Sequence, residues 1–208
     1  LGDVYKRQEM CLHTNFKGVR MYKIYLSSEH HGTVRSNEIE AGCWVAMTSP
    51  SADELQTVSQ ECNIQLEDLR AALDEEERSR IQVEDDYTLI IVDIPVIEER
   101  NGKDWYGTIP LGIALTDNHI ITICLEDTPV LTAFMDGRVR EFYTYKKTRF
   151  ILQILYRNAT LFLNYLRNID KRSELLEQKL REDQKNKELL ELQELEKSLV
   201  YFTTSLKG

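Results

Sequence analysis

The chain has 208 residues, 42% of them hydrophobic and 29% charged, which is enough for one sizeable core with an appended helical segment. Its formal net charge of −9 argues against nucleic acid as a partner, because affinity for phosphate backbones comes largely from Lys and Arg. Cations or basic partners fit better. No uncharged apolar run approaches the roughly 20 residues that a membrane-spanning helix needs, and no signal-peptide pattern opens the chain.

Motifs for catalysis or tight metal binding are missing from the sequence. It has no Walker loop, G-x-S-x-G elbow or H-E-x-x-H helix, so we do not expect an enzyme. His30 and His31 have no third ligand at metal spacing and are predicted to lie in an exposed loop. The cysteines form no CxxC pair, which favours free thiols in a reducing cytosol. They are Cys11, Cys43, Cys62 and Cys124.

Residues 1–20 show no sustained strand or helix period, whereas "MYKIYL" from Met21 reads as the first strand. One interpretation is that Met21 is the natural start and that the preceding segment is upstream or adapter-derived sequence. The other is a native disordered arm. Either way, we exclude residues 1–20 from the fold prediction.

Strands and helices are predicted to alternate after Met21. "CWVAMTS", residues 43–49, reads as a strand, and "SPSADEL" supplies a serine cap, a proline in the first turn and early acids for a helix over Ser51–Glu61. "QLEDLRAAL" predicts a second, short helix with leucines at i, i+3 and i+7. Trp44, in the first of these strands, is expected to be a packing residue.

"IQVEDDYTLIIVDIPVI" predicts two strand segments, the second so apolar that we expect it to be central and covered on both faces. Hairpins are predicted at "RNGKD", residues 100–104, and at Asp117 and Asn118, followed by a capped helix in "DTPVLTAFMDG". The pattern therefore predicts an α/β (α+β) head over residues 21–145, with a mixed sheet covered by helices on both faces.

Residues 146–208 are predicted to form long antiparallel helices that lead into a stalk helix. Between Lys146 and Lys207 there is no proline or glycine, and apolar residues recur at helical spacing. The polar stretch 181–188 leaves open whether the helix continues or turns back. The apolar positions before it are Leu155, Phe162, Leu166, Ile169, Leu176 and Leu180. A near-heptad series follows at Leu189, Leu192, Leu195, Leu199, Phe202 and Leu206. Because this series is unfinished at Gly208, we expect a fragment boundary there, the alternative being an ordinary amphipathic helix on its own domain.

Negative charge is concentrated between Leu66 and Asp86, where nine carboxylates accompany three arginines. The run from Asp74 to Glu77 follows a helix end, where the macrodipole disfavours anions, so helix stability does not explain it. Two interpretations remain: a solvated acidic surface, or a site compensated by a cation or basic surface. Mg²⁺ would suit such a site because it prefers oxygen ligands. Arg78 and Arg80 are predicted to pair within the cluster or to brace the next strand.

The order of these motifs resembles the N-terminal cytoplasmic domain of CorA-like magnesium and divalent cation transporters. The resemblance rests on the strand with Trp44, the helix after it, "LEDLRAAL", "ERSRI", "EDDY" with its apolar strand, and "LGIALTDNHIITI". It covers about residues 21–208. The sequence departs from the family at Ser79, where proline is frequent, and it lacks the pore helices and their Gly-Met-Asn loop. This segment alone is therefore not expected to transport ions.

The resemblance implies a site as well as a fold. Asp68 matches the aspartate of the family's "LED" motif, which faces a neighbouring subunit and binds regulatory Mg²⁺ with a carboxylate of the stalk helix. Glu67, Asp74 and Glu75 are weaker metal candidates. A second ion site is not expected, because Tyr156, Thr160 and Leu161 hold positions where some relatives carry acids.

The resemblance further implies subunits of a homopentamer as partners. The domain would be the cytoplasmic part of an inner-membrane protein, which contacts the membrane only through helices beyond this sequence. It would sense intracellular Mg²⁺, with other divalent cations also possible, and zinc-handling relatives share the same head. The alternative is a soluble acidic α/β protein-interaction module without metal function.

Overall fold

The computed structural model describes residues 22–28, 32–100, 102–182 and 186–207. Within these ranges, seven strands form one sheet: β1 (Tyr22–Ser28), β2 (Gly32–Ser36), β3 (Trp44–Thr48), β4 (Arg80–Val83), β5 (Tyr87–Arg100), β6 (Lys103–Thr116) and β7 (Ile120–Cys124). The described helices are α1 (Ala52–Cys62), α2 (Leu66–Ala71), α3 (Pro129–Met135), α4 (Lys147–Glu182) and α5 (Asn186–Ser205).

The sheet is mixed and has the order β2-β1-β3-β7-β6-β5-β4. Strands β3 and β7 pair in parallel and the other neighbours are antiparallel. Both predicted hairpins are confirmed, since Arg100 pairs with Lys103 and Leu115 pairs with Ile120. The predicted fold class is therefore correct.

Helices cover both faces of the sheet, as predicted. On one face, α1 and α2 bury Val58 and Leu69 in a cluster with Ile123 and other strand residues. On the opposite face, Phe134 of α3 and Phe150 of α4 pack around a fully buried Trp44. The Trp44 indole N–H also donates to the Thr122 hydroxyl at 2.8 Å, so its polar atom is satisfied inside the core.

Helix α1 begins with a capping box at Ser51, and the proline that was predicted in its first turn lies before the helix. Ser51 is the N-cap: its hydroxyl accepts from the Glu54 backbone N–H at 3.3 Å, and the Glu54 carboxylate accepts from the Ser51 N–H at 2.9 Å. Pro50 therefore precedes the cap instead of occupying the first turn. The helix ends at Cys62, and its C-cap Asn63 has a left-handed backbone, with φ of 52°, that stops propagation.

Strand β5 is not central, contrary to the sequence prediction. It is second from the edge, and β7, all five of whose residues are buried, occupies the middle of the sheet. Ile90 and Val92 of β5 are only partly buried. An apolar run indicates burial, but it does not distinguish a central strand from its neighbour, because the order of strands is set by long-range pairing.

In the edge strand β4 the apolar side chains face solvent and the polar ones are more buried, the reverse of an ordinary half-buried strand. Ile81 and Val83 leave 71% and 76% of their surface exposed, whereas Arg80 and Gln82 alternate with them and are more buried. Strand β2, at the other edge, was not predicted, because it is short, polar and mostly exposed.

Helices α4 and α5 form an antiparallel hairpin, which answers the question left open at residues 181–188. The Phe162 and Phe202 ring centroids are 5.0 Å apart, and the Arg172 guanidinium donates to Glu191 at 2.6 and 2.9 Å. Lys103 of β6 pairs with the same Glu191, which ties the hairpin to the sheet.

The buried stripe of α5 follows Leu195, Ser198 and Phe202. The predicted near-heptad series is therefore only partly right, because Leu189, Leu199 and Leu206 are exposed. On α4, Leu155 also lies at the surface instead of in the core.

Candidate functional site

The four acidic residues predicted as metal ligands differ in how far they are exposed to solvent. Asp68 is buried, with 9% of its surface exposed, and lies beside the fully buried Leu69. Glu67, on the same turn, is exposed, as are Asp74 and Glu75 beyond the helix end. Of the four candidates, Asp68 alone is held inside the fold.

Neutral donors surround the Asp68 carboxylate. The Tyr87 hydroxyl donates a hydrogen bond to Oδ2. The Gln82 amide Nε2 lies 3.5 Å from both Asp68 oxygens and donates to Glu84 Oε1 at 2.7 Å. Gln82 thus stands between two carboxylates, Asp68 on α2 and Glu84 just after β4. Among the described residues, Asp68 has no ion pair, so its charge is oriented by these donors but not neutralised.

Tyr87 also fixes the start of α2. Gln65 is the N-cap of this helix, and its side chain makes no capping hydrogen bond. Its backbone N–H instead donates to the Tyr87 hydroxyl at 3.4 Å, a long contact. Tyr87 belongs to β5 opposite Thr116 of β6, so the sheet register determines where its hydroxyl lies.

The other end of α2 rests directly on the sheet. A Cβ added to Gly112 of β6 would lie 2.5 Å from the Ala72 Cβ, closer than real Cβ atoms come. Glycine at position 112 therefore allows α2 to approach the strand. Tyr87 at its start and Gly112 at its end place Asp68 in a fixed position.

The Tyr87 hydroxyl is a donor at all ordinary pH values. Burial of the ring, together with the hydrogen bond to Asp68, raises the pKa of Tyr87 to about 12. Tyr87 therefore stays a neutral donor to Asp68 and leaves the negative charge of the site in place.

The acidic run after α2 forms a solvated turn. The Asp74 carboxylate accepts from the Glu76 backbone N–H at 3.0 Å, and Glu77 pairs with the Arg80 side chain. The predicted role of Arg80 as a partner within the cluster is confirmed. For Asp74 and Glu75, exposure favours the interpretation as a hydrated acidic surface.

A metal site complete within one chain is not present in the described ranges, where no three His, Cys, Asp or Glu side chains converge. The donor chemistry near Asp68 nevertheless fits a hard cation, because Asp68 and Glu84 offer carboxylate oxygens beside one amide. Two carboxylates are too few ligands. A Mg²⁺ ion here would need water and further oxygens from another chain or segment.

The described cysteines are part of the packed core, and His119 contacts one of them. Cys43, Cys62 and Cys124 are free and buried, and burial raises the pKa of each thiol, to about 11 or 12. His119 Nδ1 contacts the Cys43 sulfur at 3.6 Å. Cys11, His30 and His31 lie outside the described residues.

Three residues of the site were missed by the sequence reasoning: Gln82, Glu84 and Tyr87. Alternation along β4 could have placed Gln82 and Glu84 on one face, since they are two residues apart on an extended chain. The contact between Tyr87 and Asp68 carries no local signal, because it joins a helix and a strand 19 residues apart.

A helix long and apolar enough to cross a membrane is not found in the ranges that the structure covers. A family model described as "CorA-like Mg2+ transporter protein" matches residues 40–208. The chain is 28% identical to the cobalt/magnesium transport protein CorA of Methanocaldococcus jannaschii over 172 residues, which cover 78% of this chain and 51% of that protein.

Solved structures show the same likeness. The complete CorA magnesium transporter from M. jannaschii matches with a TM-score of 0.78 and 25% identity, over 91% of this chain and 60% of that chain. The soluble domain of CorA from the same organism matches with a TM-score of 0.77 and 25% identity, over 91% and 76%. The ZntB cytoplasmic domain from Vibrio parahaemolyticus, at 10% identity and a TM-score of 0.68 over 91% and 76%, shares the fold.

The chain thus spans about half of its curated CorA relative and 60% of the complete transporter structure. The family match runs through most of the chain, from just before β3 to its last residue, and the fold agrees with that of the CorA soluble domain. The chain therefore belongs to the CorA-like Mg²⁺ transporter protein family.

Proposed function

We propose that this chain is the cytoplasmic regulatory domain of a CorA-like channel or transporter for Mg²⁺ and related divalent cations in the cell membrane, and that it is not an enzyme. The observation that carries the proposal is the match of 91% of the chain to the soluble domain of CorA. The carboxylate of Asp68, which is buried and has no ion pair among the described residues, supports a regulatory role within that domain.

The sensing site that we propose is shared between subunits. Asp68 and Glu84 supply carboxylate oxygens from one chain, and the remaining ligands come from a neighbouring subunit of a homo-oligomer, a pentamer by family resemblance. Mg²⁺ supplies the positive charge that lets carboxylates of two subunits approach. Without it, Asp68 and the facing acid repel each other, and the repulsion favours separation of the subunits.

Regulation then follows from linkage. Asp68 contributes more binding free energy in the closed arrangement, where its partner acid is near, than in an open arrangement. A ligand shifts an equilibrium only through such a difference in affinity, so intracellular Mg²⁺ favours the closed state and its loss favours opening.

Substitution of Asp68 by Asn in the full-length protein tests the proposal. Asn keeps the shape and can still accept a hydrogen bond from Tyr87, but it removes a charged ligand. Closure should therefore need a higher internal Mg²⁺ concentration than in the wild type, by roughly tenfold for each 1.4 kcal/mol of lost interaction. The measurement is ion flux against internal Mg²⁺, with Asp74→Asn on the exposed turn as the matched control.

Superimposed flux curves for wild type and Asp68→Asn would remove Asp68 from the sensing site. That result would favour a second candidate function, an acidic interaction module without metal function. The hydrated turn at Asp74 and Glu75 is the observation on which this alternative rests, because exposed carboxylates can dock a basic protein surface without any cation.

A further inference from the structure

The two hydrogen-bond donors at Asp68 differ in how strongly they fix the orientation of its carboxylate. The Gln82 amide nitrogen lies 3.5 Å from each oxygen, at the outer limit of hydrogen bonding, and is committed to Glu84 at 2.7 Å. The Tyr87 hydroxyl donates a hydrogen bond directly to Oδ2. The orientation of the carboxylate is therefore set by Tyr87 much more than by Gln82.

The Tyr87 hydroxyl is itself held in position. Its ring is buried in the core cluster beneath α1 and α2, and its strand is paired with β6 on one side and β4 on the other. The hydroxyl also accepts the long contact from the Gln65 N–H. A donor on the sheet thus aims a carboxylate that lies on a helix of only six residues.

A neutral donor leaves the carboxylate able to bind a cation. An ionised carboxylate has about four lone-pair sites, and the Tyr87 bond occupies one of them. An Arg or Lys in the same place would also orient Asp68, but it would cancel the charge that attracts a metal ion. Removal of the Tyr87 hydroxyl should therefore release the orientation of the Asp68 carboxylate without changing the formal charge of the site.

We propose that Tyr87 is the positioning residue for Asp68, holding its carboxylate in the orientation that cation binding requires. This inference rests on the proposed function, because it assigns Tyr87 a role at the same sensing site. It adds a residue on β5 to a site that the sequence placed only in α2 and the turn after it.

Mn²⁺ is a suitable probe of the whole 208-residue chain, because it takes the same carboxylate and water ligands as Mg²⁺. Its paramagnetism broadens nearby amide NMR signals even when binding is weak, so the carboxylates of Asp68 and Glu84 in one chain are sufficient for detection, although the complete site needs further ligands. In the wild type, low Mn²⁺ should broaden the Asp68 and Leu69 amides, and excess Mg²⁺ should restore them. Asp68→Asn should lose this response. Tyr87→Phe should need about tenfold more Mn²⁺ for the same broadening, as expected for loss of one hydrogen bond to a charged group.

Two controls separate positioning from general structural effects. Tyr25→Phe removes the hydroxyl of another buried tyrosine, on the opposite face of the sheet, and should respond to Mn²⁺ as the wild type does. Gln65→Pro removes the N–H that reaches the Tyr87 hydroxyl together with an exposed side chain that makes no capping hydrogen bond, and the backbone φ of −62° at this position suits proline. It should also keep the wild-type response.

The outcomes distinguish this inference from the proposed function. If Asp68→Asn abolishes the response while Tyr87→Phe binds Mn²⁺ as the wild type does, or more tightly, Tyr87 is no positioning residue and the sensing site stands. If Gln65→Pro reproduces the effect of Tyr87→Phe, the tyrosine only anchors α2, and the inference is again wrong. If the wild type shows no broadening at Asp68 that Mg²⁺ reverses, the proposed site and the role of Tyr87 fail together.

Discussion

Substitution of Gly112 by Ala tests whether close contact between α2 and the sheet holds the candidate site in place. The added methyl group would lie 2.5 Å from the Ala72 Cβ, at the C-terminal end of α2, and 3.8 Å from Ile123. The Ala72 Cβ is fixed to the helix backbone and the new methyl group to the strand backbone, so neither can rotate away from the other. The helix must therefore move outward, and Asp68 moves with it.

The expected cost follows from overpacking. Extra methyl groups in a packed core typically destabilise a protein by about 1–3 kcal/mol. For a chain of this size, each kcal/mol lowers the thermal midpoint by about 2–4 °C, so Gly112→Ala should lower it by roughly 2–12 °C. Ala72→Gly alone should cost about 1–2 kcal/mol, through backbone entropy and one lost buried methyl group.

The double variant with Ala72→Gly and Gly112→Ala moves the methyl group from the helix to the strand. It should be more stable than the sum of the single effects predicts, by at least about 1 kcal/mol, since the two sites are in contact. Urea unfolding of the wild type, both single variants and the double variant measures this coupling. Strictly additive free energies of unfolding would show that the Gly112–Ala72 contact does not limit the approach of α2.

Two further expectations concern the helical hairpin and the β6–β7 turn. Phe202→Ala should cost roughly 3–5 kcal/mol of hairpin docking, because the ring is buried against Phe162 and Tyr106. Hydrogen exchange should then rise in α5 but not in β7, whereas Leu190→Ala, at an exposed position of the same helix, should change little. Burial, helped by the nearby Lys147 charge, lowers the pKa of His119 below its ordinary value of 6.5. The neutral form is favoured on folding, so this contribution to stability is complete above about pH 6.5 and is lost as the pH falls through the lowered pKa. Urea midpoints of His119→Gln should therefore fall less than those of the wild type as the pH is lowered below 6.5, and parallel profiles would contradict this assignment.

Local signals in the sequence were sufficient for much of the head. Ser51 and Glu54 announce the start of α1 by a capping box that operates within four residues, although the adjacent Pro50 was wrongly placed in the first turn. Turn residues likewise predicted the positions of both hairpins. These elements were predictable because the interactions that fix them lie within a few residues of one another.

The order of the strands and the surroundings of Asp68 were not predictable in this way. The place of β5 depends on which strands flank it, and the short, polar β2 has no hydrophobic pattern to announce it. Asp68 was identified by family resemblance, whereas its partner Tyr87 is set by the β5–β6 register and by how closely α2 lies on Gly112. Such contacts are products of tertiary packing, and they leave no local trace in composition or period.

The reversed pattern of β4 has a consequence for how separate molecules meet. An edge strand with exposed β-branched side chains and open backbone hydrogen-bonding groups is a template for strand-to-strand aggregation. Here the exposed apolar residues Ile81 and Val83 lie between two acidic runs, 74–77 and 84–86. Two such edges that approach each other bring these runs together. Arg78 and Arg80 offset only part of their charge, so the two edges repel each other before the backbones can pair. The acids act as gatekeepers of the sheet edge, and because salt screens charges, their protection weakens as ionic strength rises.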